Sequence, residues 1–412
     1  MDATERVADA AAGATAGTRE AVAAVVRSDA ALLEDDLAEF LGSLTAPAAV
    51  ASGDSHSLYE AALRRSLYEP VADAVGSKVG QEALPPSAGA PGGDRVPLRP
   101  SMVYWAYRNY RGFPDETGDE TGNETGNATG IETGIDTGAG DSAADLAVVR
   151  RAAVAVRVML KAFVAIDDIQ DGSAIRYGEP ALHVTHGVPL ALNTGSWLIA
   201  AVLRHAADPE VVDSLLRAVE SGFTGQAVDL STRTEQTRAE LIAAPVEERA
   251  AYWESLAALK TGTLFRMPLD AALAGLRVVD EEQYTLDAAM RQLGLASQLF
   301  NDLTDFVPEF GGGRIHEDYD GLSNRVFLEL LDPHCSGLAG ERLKAYVLGH
   351  PKLEPTLLSL AAEAVRLKRE AKESVYGVCR SDRSAAYFDL TIERKGHLID
   401  RLHETLQQRN GA

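Results

Sequence analysis

Three carboxylates close an apolar run in Ala162–Asp171, AFVAIDDIQD. On a helix, Asp167 and Asp171 stand one turn apart on the same face, with Asp168 beside them. The preceding stretch, Val154 to Ile166, is largely apolar and is expected to be buried. Acidic groups near a helix C-terminus oppose the helix dipole and repel each other, so they need a counter-charge. A hard divalent cation fits that need. A second cluster, Asn301, Asp302 and Asp305, follows another apolar helical run in GLASQLFNDLTDFVPEF, with Glu309 one turn further on. Two helices facing each other with inward carboxylates can hold Mg²⁺, which keeps waters and phosphate oxygens in its shell. That arrangement suits a departing diphosphate. The metal neutralises the leaving group as a C–O bond breaks, and an allylic cation stays behind in an apolar, water-poor pocket.

The elements that must position these clusters are helical. Period-3.6 patterning predicts helices at 143–171, 188–205, 209–231, 235–243, 247–276, 280–306, 322–332, 338–348, 354–376 and 383–409. A short aromatic helix is expected at Met102–Tyr110, an earlier one at His56–Val75, and two weak amphipathic helices within residues 1–42. Strand alternation is nearly absent. The expected fold class is all-α, a large single-domain helical bundle over 56–409 with an N-terminal helical extension over 1–55. Residues 113–141 interrupt it. There a Thr-Gly pair recurs at Thr117, Thr121, Thr125, Thr129, Thr133 and Thr137 among acidic residues. Gly at that density opposes a helix and leaves little to bury, so this segment reads as a disordered acidic insertion.

Composition narrows the partners. Of 412 residues, 61 are acidic and 39 are Lys or Arg, a net charge of −22. That excess excludes nucleic acid as an expected partner, since phosphate backbones call for a basic surface. It fits a high-salt, halophilic setting. The two cysteines, Cys335 and Cys379, form no CxxC pattern and no disulfide framework, as expected of a reducing cytoplasm. MDATERVADA lacks the basic start and apolar core of a secretory leader. No apolar run is long enough to span a membrane.

The stretch AIDDIQDGSAIRYGEPALHVTHGVPLALNTGSWL resembles the first aspartate-rich region of the trans-isoprenyl diphosphate synthase (polyprenyl synthetase) family, in its geranylgeranyl diphosphate synthase-like branch. The matching residues are Asp167, Asp168, Asp171, Ser173, Arg176, Gly178, Pro180, His183, Gly187, Pro189 and Asn193. Gly225-Gln226 with Asp229 is similar to the family's GQxxD helix, and Lys260-Thr261 with Leu264-Phe265 to its KTxxLF helix. Gly294, Gln298, Asn301, Asp302 and Asp305 resemble the second aspartate motif. Glu317-Asp318 and Gly321–Asn324 resemble a further family stretch, and Arg99-Pro100 an RP pair.

The resemblance implies an isoprenoid synthase-type bundle, usually a homodimer, that joins an allylic isoprenyl diphosphate to isopentenyl diphosphate with Mg²⁺. It assigns Asp167, Asp168, Asp171, Asn301, Asp302 and Asp305 to metal. It assigns Arg176 and Lys260 to the allylic diphosphate, with Thr261 and Gln226 beside them. The acceptor ligands are eroded. Val96 stands where the family has Lys, although Arg95 is adjacent and Arg99 is kept; Leu160 replaces a His, with Lys161 beside it; Tyr177 replaces the second Arg. That pattern leaves two alternatives open. One is a class I terpene cyclase or lyase, whose (N/D)DxxSxxxE motif would use Asn301, Asp305 and Glu309, although Pro308 opposes a continuous helix there. The other is a non-catalytic subunit of a competent synthase. Phe163, one turn before Asp167, is placed to floor the chain pocket and hold products to short or medium length.

Overall fold

The structure is a computed structural model that describes residues 16–45, 57–76, 97–114, 139–176, 178–278, 280–311 and 321–411. Arg95, Val96, Tyr177, Glu317, Asp318 and nearly all of the Thr-Gly segment lie outside these residues. The described chain is almost entirely helical, as the patterning predicts. In order, the helices are α1 (Ala16–Thr45), α2 (Ser57–Leu63), α3 (Glu69–Gly76), α4 (Leu98–Arg111), α5 (Ala139–Gln170), α6 (Leu182–His186), α7 (Val188–Ala206) and α8 (Pro209–Ser231). They continue with α9 (Glu235–Ala243), α10 (Val246–Ala257), α11 (Thr263–Leu276), α12 (Asp280–Thr304), α13 (Pro308–Gly311), α14 (Arg325–Leu330), α15 (Gly340–Leu348), α16 (Leu353–Val378) and α17 (Asp382–Gly411). One two-stranded hairpin, β1 (Ile175–Arg176) and β2 (Glu179–Pro180), interrupts them.

Local chemistry sets the boundaries. Asp208 caps α8, accepting from the backbone N–H of Glu210 at 3.1 Å and Val211 at 3.2 Å, with Pro209 in the first turn. Asn324 caps α14 through the Val326 N–H at 2.8 Å, which starts that helix later than the apolar pattern implies. The long helix expected over 247–276 is broken by a π-helical turn, Ala258–Gly262. Among the described residues, the N-terminal region holds a single helix, α1, where two weak ones are expected.

Helix α5 is the axis of the bundle. Ala152 to Met159 are buried along it, including Arg157. It packs against α7, α4 and α11, and α1 lies over it. Helix α1 shares that core through Val22, Val26, Leu33, Leu37 and Phe40. It is also pinned by a buried ion pair. Arg108 forks onto Asp29, which accepts a further hydrogen bond from the Tyr387 hydroxyl at 3.1 Å. Breaking such a buried pair on one side costs about 3–5 kcal/mol, so α1 is held by more than its weak amphipathicity. A second core gathers the C-terminal half of α12 with α10, α14, α15 and α16. Helix α12 therefore runs from one core into the other, and its second half carries Asn301 and Asp302, with Asp305 just past its end. Among the described residues, no helix is long and apolar enough to cross a membrane.

Candidate active site

The buried stretch of α5 delivers Asp167 and Asp168 to the last turn of a rigid helix and Asp171 to the turn just beyond it. Asp171 N–H closes onto Asp167 O at 2.8 Å, and Ser173 N–H onto Asp168 O at 2.9 Å. Asp168 is fully buried. The hairpin that follows returns Arg176 onto it. Arg176 pairs with Glu179 across the hairpin, and Gly178, at φ +83°, supplies the left-handed turn between them. The Arg176 guanidinium donates to Asp168 and, at 3.2 Å, to Asp167. A cation thus neutralises the carboxylates where the helix dipole opposes them.

Asp171 is held from α8. Gln226 donates to it at 3.4 Å and Arg233 at 3.1 Å. One turn before Arg233, Asp229 binds Lys260, whose ammonium also lies 3.9 Å from Asp167. Lys260 belongs to the π turn. Such turns shift side-chain direction within a helix and are frequent at functional sites. Glycines let the three elements approach. A Cβ on Gly294 of α12 would fall 2.5 Å from the Gly262 backbone, and one on Gly225 would fall 2.9 Å from Lys260 Cγ. No side chain fits at either position while the helices keep this spacing.

The electrostatics show an acid-rich centre. Burial raises the Asp171 carboxyl to about 6, and the charge of Asp167 adds to the rise. Burial alone would lower the Lys260 ammonium, but the charges of Asp229 and Asp167 outweigh it and raise its pKa. Asp302, on α12, is raised to about 7 by burial, and Asp229 again raises it. Asp229 is thus the common neighbour through which the two aspartate clusters act on each other.

The second cluster is arranged unevenly. Gln298 and Asp302 share one helix face, and Asp305 lies just past the helix end. Asp302 is 4% exposed. One of its oxygens accepts from Trp253 Nε1 at 2.9 Å and Arg325 N–H at 2.7 Å, the other from Gln298 at 2.7 Å. In this conformation Asp302 braces α10, α12 and α14 together. Asn324 donates to Asp305 at 3.1 Å, and Asn301 is exposed. Thr261 donates to Gln298, which ties the π turn to α12. Among the described residues, no three His, Cys, Asp or Glu side chains form a preformed metal cage. Mg²⁺ does not need one, since it binds through one or two carboxylates together with waters and substrate phosphates. Asp167 and Asp171 fit that role: both keep solvent access, all donors are oxygen, and the raised pKa of Asp171 marks a shortage of positive charge.

Other residues singled out from the sequence fall differently. Phe163 meets Phe223 edge-on, with ring centroids 6.1 Å apart, beside Gly222. Arg99 stacks over Phe265 at 5.1 Å. Glu309 is drawn off by Arg409 of α17, which donates to both its oxygens at 2.6 and 2.8 Å. Lys161 is buried and lines a cavity of about 200 Å³ with Asp73, Glu179 and Thr185. The motif reading passed over Arg233, Trp253, Arg325 and Phe223. Arg233 lies just past the end of α8, and all four act through tertiary contacts.

Residues 132–318 match the family model described as polyprenyl synthetase. The chain is 26% identical over 247 residues to fusoxypene synthase of Fusarium oxysporum, covering 58% of this chain and 31% of that protein. It is 33% identical over 139 residues to prenyl transferase ptmC of Penicillium ochrochloron, covering 33% and 38% respectively. The chain thus spans about a third of the length of these curated relatives. Geranylgeranyl pyrophosphate synthetase from Pyrococcus horikoshii superposes with a TM-score of 0.60 at 18% identity, over 93% of this chain and 98% of that one. Farnesyl diphosphate synthase of T. brucei gives 0.60 at 14%, over 90% and 99%. These likenesses are of fold. The part of the chain that matches the polyprenyl synthetase model carries both aspartate clusters.

Proposed function

We propose that this chain ionises an allylic isoprenyl diphosphate and transfers the prenyl group to isopentenyl diphosphate. The observation that carries this reading is Lys260, set between Asp167 and Asp229, with the charge of Asp229 reaching both Asp171 and Asp302. Asp167 and Asp171, which keep solvent access, would hold Mg²⁺, which when bound supplies positive charge to the departing diphosphate, with Asn301 and Asp305 facing it from the second cluster. Asp168 and Asp302, expected as ligands from the sequence, are instead buried on Arg176 and on Trp253, Gln298 and the Arg325 N–H. Lys260 and Arg176 hold the diphosphate itself, one as a compact charge and the other as a planar fork. Thr261 and Gln226 fix the walls around it. Phe163 and Phe223 keep water from the allylic cation while the acceptor alkene attacks it.

The cyclase reading needs Glu309, on α13, as a third ligand beside Asn301 and Asp305, and the pairing with Arg409 argues against it. The assay uses purified chain, Mg²⁺ and farnesyl or geranylgeranyl diphosphate, with and without isopentenyl diphosphate, in low and molar salt. A longer diphosphate product supports transfer. A hydrocarbon or alcohol formed without acceptor would replace it with cyclisation. Absence of turnover, with a second synthase co-purifying, would make the chain a regulatory subunit.

Phe163→Ala is expected to lengthen the product by at least one isoprene unit, because the ring that closes the pocket is gone; chromatography of the dephosphorylated products reads this. An unchanged product profile would remove Phe163 from the pocket. The same reading makes the chain a homodimer. Val188 and Leu192, one turn apart on α7, are each 46% exposed, and Leu216 on α8 is 47% exposed. Leu192→Glu with Leu216→Glu should halve the mass seen by light scattering, and a parent chain already monomeric would refute it.

A further inference from the structure

Among the described residues, three cations meet the first aspartate cluster: Arg176, Lys260 and Arg233. The first two are assigned to the diphosphate above, and Arg233 is not. It stands in the tight turn that joins α8 to α9. Thr232 N–H closes on Asp229 O at 2.9 Å, the Thr232 hydroxyl donates to the same oxygen at 2.7 Å, and the Thr234 hydroxyl accepts the Thr237 N–H at 3.3 Å to cap α9. A turn bonded on both sides gives Arg233 a fixed origin. From there one guanidinium nitrogen donates to Gln170 O, at the open C-terminus of α5, at 2.9 Å, and another to Asp171 Oδ1 at 3.1 Å. Gln226 donates to the same Oδ1 at 3.4 Å. Among the described residues, both donors to Asp171 thus reach one oxygen, and Oδ2 is left for an ion, with 22% of the side chain exposed.

We propose that Arg233 is a counter-charge that weakens the hold of Asp171 on a divalent ion while no diphosphate is bound. The proposal rests on the prenyl-transfer reading above. An ion on Oδ2 shares its carboxylate with the Arg233 guanidinium. At that spacing a single and a double positive charge repel by about tenfold in binding, even at the dielectric of a half-enclosed site. The guanidinium also pins the Asp171 side chain in place, which favours the ion, but one ordered carboxylate rotamer is worth only about a few-fold. Repulsion therefore wins. Arg233 does not move aside freely, because its bond to the Gln170 carbonyl at the helix end would be lost as well. A diphosphate changes the balance by bringing several negative charges to Lys260 and Arg176.

Mn²⁺ titrated into the full-length protein without diphosphate, at pH 8, above the raised pKa of Asp171, and read by electron paramagnetic resonance tests this apart from turnover. Arg233→Gln should bind about tenfold tighter than the parent, Arg233→Lys should stay near the parent, and the gain should shrink in molar KCl. Arg233→Met keeps the stem without the charge and should show the same gain, which covers a failure of the Gln variant to fold. Adding Asp171→Asn should abolish the gain, which separates this site from the other carboxylates of an acidic chain. A purely structural Arg233 predicts the opposite sign, because a loosened Asp171 holds an ion less well. Binding by the neutral variants equal to or weaker than the parent's, with circular dichroism unchanged, would overturn the proposal, as would a gain that survives Asp171→Asn. Tighter binding in Arg233→Gln, with no elongated product from the parent, would keep the counter-charge and remove the transferase reading. Elongation by the parent with no gain in Arg233→Gln would do the reverse.

Discussion

Lys260→Ala should lower turnover by about a thousandfold, the scale lost when one preorganised charge on a developing anion is removed. The argument is electrostatic. Lys260 faces Asp229 and Asp167 at once and is itself largely enclosed. Its charge cannot be replaced by water in an apolar pocket, and the diphosphate would then meet two carboxylates and no ammonium. Folding should suffer as well. Removing one side of a buried pair costs about 3–5 kcal/mol, and the partial solvent access of Lys260 reduces this to about 1–3 kcal/mol. Mg²⁺ should return part of that stability, because it supplies the missing positive charge to Asp167 and Asp171. Steady-state kinetics and thermal unfolding with and without Mg²⁺ measure both effects. A variant with parental kcat would exclude Lys260 from the chemistry.

The second large effect is on stability against pH, measured in EDTA. Burial raises Asp302 to about 7, and Asp171 to about 6, from an ordinary value of 3.8. In the folded state each holds its proton more tightly than in the unfolded state. Stability therefore falls as pH rises through the window between the two states' pKa values. For Asp302 that window runs from about 4 to 7, and for Asp171 from about 4 to 6. Above pH 7 the slope from these groups vanishes. Three pH units correspond to about 4 kcal/mol as an upper bound for Asp302. Asp302→Asn should remove most of the slope. Its amide oxygen can still accept from Trp253 and the Arg325 N–H, and its NH₂ can donate to Gln298 if that amide turns over. Urea unfolding at pH 5, 6, 7 and 8 tests this. A variant with the parental slope would mean that Asp302 is already ionised in the fold.

These expectations mix two kinds of knowledge. The helical architecture was legible in the residues, because a 3.6-residue apolar period over many turns admits few alternatives. The helix over 209–231 and its neighbour at 235–243 coincide with the expected spans, their starts marked by Asp208 and Thr234. The π turn at Ala258–Gly262 was not legible, since an extra residue in one turn leaves the apolar period on either side intact. The length of α14 was misjudged because Asn324, rather than the apolar run, sets its start.

The candidate site divides along the same line. By itself the sequence determined that two acidic clusters sit at the ends of apolar helices and which residue types they hold; the family resemblance added that the acceptor positions are eroded, with Arg99 kept. Spacing along one helix is local geometry, so Asp167 and Asp171 could be placed on one face in advance. Only the tertiary structure decided that Asp302 is turned inward as a brace and that Glu309 is taken by Arg409. Each of those outcomes depends on which helix packs beside which. Burial and neighbouring charge, which set how a carboxylate or an ammonium behaves, exist only once distant segments of chain have met.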